Sequence, residues 1–192
     1  MMLARSLLAA SLALASGSAP ALVEQEICYN YGCFQQATAR FDDADLEALR
    51  TQVHVAADAA GERAMLARVI GRMYGIAASQ TPIWRDRGRN SMEERGQDGA
   101  MDCIDHSVNT ETFLRVLAAA GALRFHVPGE RRHRFAFLVF GEHWTATVIE
   151  AQSQSQFAVD SWFHDPGLPV TVVALERWRA GYDPDAEMRA AR

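Results

Sequence analysis

A cysteine, a histidine and an aspartate, in that order, carry the chemistry open to this chain. Cys103 lies in "QDGAMDCIDHSVNTETFLRVL" (97–117), after a glycine-bearing loop and at the start of an apolar, helix-periodic run. His143 opens "HWTATVIEA" and Asp160 ends "FAVD". A thiolate is a strong nucleophile, and a helix N-terminus lowers a thiol's pKa through its unpaired N–H groups and dipole. An imidazole beside it takes the proton, and a carboxylate behind the imidazole fixes its tautomer. The N–H of Cys103, in the first helical turn, is available to an oxyanion. The spacing thus predicts a Cys103–His143–Asp160 nucleophile unit with a thiol pKa below the free value of about 8.5.

The remaining cysteines read differently. "CYNYGC" sets Cys28 and Cys33 around Gly32, which permits a turn, and such a pair closes a small loop in an oxidising compartment. A redox pair prefers two intervening residues, and a c-type haem site needs Cys-x-x-Cys-His, so a structural disulfide is expected. Cys103 is then the unpaired thiol. Two other readings of it stand beside the nucleophile. One is an inert packed thiol. The other is a zinc ligand with His106 and His143, although structural sites use four ligands and catalytic sites three. His106 is expected on the helix surface, and His126, His133 and His164 have no evident partner. Trp84 and Trp162 are expected in the core or the cleft wall.

The stretch from about 98 to 163 resembles the transglutaminase-like, papain-related cysteine hydrolases of bacteria. Their core reads Gly-x-Cys-x-Asp before an apolar helix, then "HA" opening a strand, then an "xxxD" strand. Here the corresponding words are "GAMDCIDHSVNTETFLRVLAAAG", "HWTATVIEA" and "FAVDSWF". The resemblance covers roughly a third of the chain. It implies Cys103 as nucleophile, His143 as base and Asp160 as orienting residue, acting on peptide or isopeptide amides of a peptide or protein substrate. No cofactor or metal is expected. Calcium-dependent periplasmic members carry an acidic residue directly after the cysteine, where this chain has Ile104 between Asp102 and Asp105. Trp144 follows His143 where a small residue is common. The alternative is a catalytically inactive descendant, kept as a binding or cell-envelope assembly module.

The elements that must position these residues follow from periodicity. Residues 22–40 read as an extended, disulfide-clipped arm. "DDADLEALRTQV" (42–53) and "AGERAMLARVIGRMYGIAA" (60–78) are helices, with Leu46, Leu49 and Val53, then Leu66, Val69, Ile70 and Met73, at helical spacing. Residues 79–100 form a long polar loop, of a length usual only where loops are functional or mobile. The Cys103 helix stops at Gly121. Strands are expected at 123–127, 135–141, 143–151 and 157–163, with a charged turn at 129–134 and a closing helix in "VVALERWRAGY". A hairpin turn centred near 153 or 154 would set Asp160 opposite Thr147. Helices first and an antiparallel sheet after them predict an α+β class, with a papain/transglutaminase-like core. Residues 41–192 then form one domain.

Composition and charge agree with this reading. The chain has 192 residues, is 49% hydrophobic and carries a net charge of −5 with arginine as its only strong base. A mildly acidic chain without a basic block disfavours nucleic acid as a partner. "MMLARSLLAASLALASGSAPA" reads as a secretory signal peptide over residues 1–21: Arg5 supplies the positive region, the apolar run is too short for a span, and Ala19-Pro20-Ala21 fits cleavage. Gln25, Glu26 and Ile27 before Cys28 do not make a lipobox. The mature protein is expected to be periplasmic or secreted, with no membrane span.

Overall fold

The computed structural model describes residues 22–135 and 142–190. The leader and residues 136–141, which hold most of one expected strand, lie outside the described residues. The arm is an antiparallel hairpin, β1 (Val23–Tyr29) and β2 (Gln35–Phe41), in register from Val23↔Phe41 to Tyr29↔Gln35. Two helices follow, α1 (Asp43–His54) and α2 (Ala59–Ala78). Asp42 and Asp58 cap them by accepting from Asp45 N and Gly61 N. Residues 79–100 contain only two short 3₁₀ turns, Pro82–Arg85 and Met92–Glu94. α3 (Cys103–Ala119) leads into an antiparallel sheet of β3 (His126–Pro128), β4 (Arg132–Phe135), β5 (Glu142–Glu150), β6 (Gln156–Asp160) and β7 (Thr171–Ala174). The pairing runs β3-β5-β6-β7, and β4 pairs with β5 alongside β3. α4 (Leu175–Arg179) and α5 (Pro184–Ala190) end the described chain. The class is α+β, as the element order implied.

Three local expectations change. Residues 132–134 of the expected charged turn belong, with Phe135, to strand β4, because their partner is the nine-residue β5, which supplies a ladder for any extended neighbour. The expected closing helix divides: Val172 and Val173, β-branched like the Thr171 before them, extend against β6, and only Leu175–Arg179 is helical. The β5–β6 register pairs Ala146 with Val159, so one further step sets Asp160 across from Thr145 rather than Thr147.

One apolar core sits where α2 and α3 pack on the sheet and the β1–β2 hairpin. Phe113 of α3 meets Phe41 of β2 and Tyr74 of α2 edge-on, at centroid distances of 5.8 and 5.0 Å. Two glycines permit close backbone approach. A Cβ at Gly71 would lie 2.2 Å from Leu168 O. One at Gly99 would lie 2.1 Å from Pro82 O, and Gly99 also has φ +88°, so this tight crossing just before Cys103 requires glycine. Among the described residues no helix is long and apolar enough to cross a membrane.

Candidate active site

α3 begins at Cys103 because Asp102 caps it. The Asp102 carboxylate accepts from Ile104 N (3.0 Å) and Asp105 N (2.9 Å), and its carbonyl accepts from His106 N (3.0 Å). The Asp105 carboxylate returns the bond to Asp102 N (3.1 Å), completing a capping box. Of the four orphan N–H groups of the first turn, only that of Cys103 is left, turned toward its own sulfur.

The cap changes the thiol's electrostatics. The N–H groups expected to stabilise a thiolate are engaged by a carboxylate one residue away. Burial, reinforced by the charges of Asp102 and Asp160, pushes the Cys103 thiol up to about 11, against help from the N–H of Trp144 and its own. The expectation of a lowered thiol pKa rested on the helix end and the imidazole and did not count what caps the helix. At neutral pH the resting sulfur is a protonated thiol, and it donates to Glu142 O at 3.5 Å. The sulfur therefore touches β5 on both sides of His143, at the carbonyl of Glu142 and the N–H of Trp144.

His143 and Asp160 are joined directly. His143 Nε2 lies 2.7 Å from Asp160 Oδ2. Side chains of 143 and 145 share one face of β5, so a carboxylate opposite Thr145 is the diagonal neighbour of His143, within reach of a long side chain. Asp160 is 2% exposed. Burial alone would raise its pKa. The charge and hydrogen bond of His143 outweigh burial, with donation from Trp178 Nε1 (2.7 Å) and Trp162 N (3.1 Å), and hold the carboxyl below its usual range. Trp162, Phe163 and Trp178 surround the ring at centroid distances of 4.8, 5.7 and 5.5 Å. Arg134, the β4 partner of His143, lies over Trp178 at 4.6 Å and donates to its carbonyl. With Nε2 committed to Asp160, Nδ1 is the nitrogen left for chemistry. No buried side-chain nitrogen or oxygen among the described residues lacks a partner, so Nδ1 is not sealed in.

His106 is not on the helix surface as expected: it is 2% exposed. Its Nε2 lies 3.1 Å from Asp86 Oδ2 and its Nδ1 lies 2.9 Å from Ser161 Oγ. Ser161 meets Thr110 Oγ1 and Tyr74 OH, each at 3.0 Å, and Tyr74 OH donates to His106 O at 2.8 Å. Asp86, fully buried, also accepts from Asn90 Nδ2 (2.6 Å) and Met101 N (2.7 Å). This network ties the long loop and α3 to the residue after Asp160. Among the described residues no group of three or more His, Cys, Asp or Glu side chains could hold a metal ion, and His106 faces away to Asp86, so nothing here assembles the zinc set.

The other residues singled out also find places. Cys28 and Cys33 form the expected disulfide. His126 packs against the buried Glu62, at 2.9 Å from Nδ1 to Oε1. His133 stacks on Trp144 at 4.8 Å, and His164 Nε2 is 3.3 Å from Thr171 Oγ1. Trp162 packs against the His143 ring, whereas Trp84 is 58% exposed under Arg85. Trp178, Asp86 and Ser161 were not singled out in the sequence. Each reaches its partner from a distant element, and no local spacing marks such a contact. No family model, curated protein or solved structure matches this chain.

Proposed function

We propose that this chain is an exported thiol hydrolase or acyltransferase of papain/transglutaminase-like architecture, acting on peptide or isopeptide amides through Cys103, His143 and Asp160. The observation that carries the proposal is the commitment of His143 Nε2 to a buried carboxylate, on a strand whose backbone flanking His143 contacts Cys103 Sγ. The secretory leader and the Cys28–Cys33 disulfide support a periplasmic or secreted location.

As Sγ attacks the amide carbon, the thiol proton passes to His143 Nδ1, and Asp160 stabilises the resulting imidazolium. The Cys103 N–H receives the oxyanion. Collapse breaks the C–N bond, and the departing amine takes the proton from Nδ1. Water or a second amine then attacks the thioester, releasing acid or new amide and restoring the thiol. Because the resting sulfur is neutral, proton transfer accompanies attack, and general-base assistance is the step on which rate depends.

The test uses a panel of peptide amides with hydroxylamine as acceptor. A Cys103 thioester yields hydroxamate, and Cys103→Ala yields none. One observation favours a second reading, an inactive binding module: the thiol is engaged by Glu142 O and held far from ionisation at neutral pH. Absence of hydroxamate across the panel, with a Cys103 inert to small alkylators, would select it.

A further inference from the structure

The disulfide arm grips the turn that carries Cys103, and the grip depends on an unusual backbone. Asn30, Tyr31, Gly32 and Cys33 are consecutive residues in the left-handed region, at φ 64°, 65°, 70° and 60°. Only Gly32 adopts that conformation without steric cost, so the surroundings must impose it on the other three. The disulfide closes the loop from one side.

From the other side the loop and the strand leading into it are held by hydrogen bonds. Tyr31 N donates to Asp105 Oδ2 (2.8 Å) and Cys33 N to Asp105 Oδ1 (2.5 Å). Asn30 N donates to Ala100 O (2.8 Å), and Asn30 Oδ1 accepts from Gly99 N (2.9 Å). One turn further along α3, Asn109 accepts from Cys28 N (2.7 Å) and donates to Cys28 O (2.8 Å). The arm therefore touches the chain before Cys103, at 99 and 100, and after it, at 105 and 109.

Asp105 is the joint. Its carboxylate is fully buried, and no ion pair reaches it among the described residues. Three N–H groups support it, those of Tyr31, Cys33 and Asp102. Two of the three belong to the left-handed loop. The third is the capping-box bond that starts α3. If the loop relaxes, Asp105 keeps one donor. A buried carboxylate with one donor does not stay in place, and moving it undoes the capping box beside Cys103.

We infer that Asp105 is a positioning residue through which the Cys28–Cys33 disulfide controls Cys103, the oxidised arm holding the nucleophile turn and reduction releasing it. A dithiol supplies two electrons and two protons. It cleaves the S–S bond to two thiols and itself becomes a cyclic disulfide, and oxidation reverses the step. The consequence for turnover rests on the proposed role of Cys103. The release of the turn does not. A chain so built is held off while its cysteines are reduced and is switched on by oxidation.

The experiment compares the full chain, oxidised and after reduction with dithiothreitol, by peptide-resolved hydrogen–deuterium exchange, with circular dichroism confirming the fold. Reduction should speed exchange at least tenfold across residues 99–109 while leaving the centre of α2 unchanged. Asp105→Asn should give the same local acceleration with the disulfide intact, and reduction should then add little. Reoxidation of the wild type should restore protection. A uniform acceleration in both segments, or none, would make the disulfide a general cross-link and overturn the inference. Should the reduced chain unfold, Asp105→Asn in the oxidised protein decides alone: protection unchanged at 99–109 contradicts the proposal. Peptide-mapped alkylation of Cys103 in the same samples reads the chemistry separately. Local release without any His143-dependent reactivity in the oxidised protein would refute the catalytic reading and leave the redox control standing.

Discussion

His143–Asp160 and His106–Asp86 are both imidazole–carboxylate pairs with buried aspartates, joined at 2.7 and 3.1 Å. Consecutive residues, Asp160 and Ser161, serve the two pairs from the end of β6. The difference lies in the second ring nitrogen. For His106 it is taken by Ser161, and the hydroxyls of Thr110 and Tyr74 close the network behind it. For His143 it has no partner among the described residues, and the strand bearing it touches a sulfur. Any aspartate can orient a histidine. A ring with both nitrogens engaged inside the core is a fastener, whereas a ring with one nitrogen free, on a strand whose backbone touches a thiol, is the one open to the proposed proton transfer.

The comparison makes separable predictions, because the first pair should govern rate and the second stability. The largest effect is expected at Cys103 and His143. Cys103→Ala or His143→Ala should each lower turnover by on the order of 10⁴-fold, with the double variant no worse, since parts of one unit are not additive. Asp160→Asn should cost less, because it misorients the ring without deleting it. Steady-state kinetics check all three, and melting temperatures of the Cys103 variant should barely move.

Next comes the fastener. Asp86→Ala leaves Met101 N, Asn90 and His106 without an acceptor and should destabilise by about 3–5 kcal/mol. Ser161→Ala should cost about 1–3 kcal/mol. Denaturant titration measures both. Turnover per folded molecule should fall far less than in His143→Ala. A Ser161→Ala protein of native stability but with activity as low as His143→Ala would erase the distinction between the pairs.

Acid should separate two carboxyls with opposite signs. The Asp160 pKa is lowered on folding, so its contribution is full above the unfolded value of about 3.9 and lost as pH falls through the folded value. Asp105 is raised to about 6, by burial first and by the Asp102 charge second. The folded state therefore binds its proton more tightly, and stability from this group rises as pH falls from about 6 toward 3.9. Asp105→Asn should flatten the pH 4–6 region of the stability curve, which urea midpoints at stepped pH would report. The smallest effect is expected at the exposed Arg85–Asp98 pair: Arg85→Ala should change stability by no more than about 1 kcal/mol.

Much of the helix-and-hairpin frame was legible in the sequence, because Leu49 and Val53 or Val69, Ile70 and Met73 repeat at helical spacing and "HWTATVIEA" alternates. The disulfide was legible from "CYNYGC" around a glycine. The capping of α3 was only half legible. Asp102 and Asp105 stand at the start of a helix-periodic run, but that one spends the helix's N–H groups and the other receives those of Tyr31 and Cys33 depends on a hairpin 74 and 72 residues away in the chain. His106 was misjudged for a similar reason. On α3 alone it is a polar residue, and only the long loop, bringing Asp86, makes it buried. Four-residue strands such as β4 and β7 carry too few residues for a period to register, so their extended state is set by the neighbours they pair with.

The claim that His143 is the base of Cys103 is tested most directly by the pH dependence of Cys103 alkylation with iodoacetamide, in the oxidised wild type and in His143→Ala. The wild type should show a reactive shoulder well below the ionisation of a thiol raised to about 11. In His143→Ala the shoulder should vanish, leaving reactivity that rises only with the thiol's own ionisation. Two coincident curves would mean that the imidazole takes no part at the sulfur, and the nucleophile reading would be wrong.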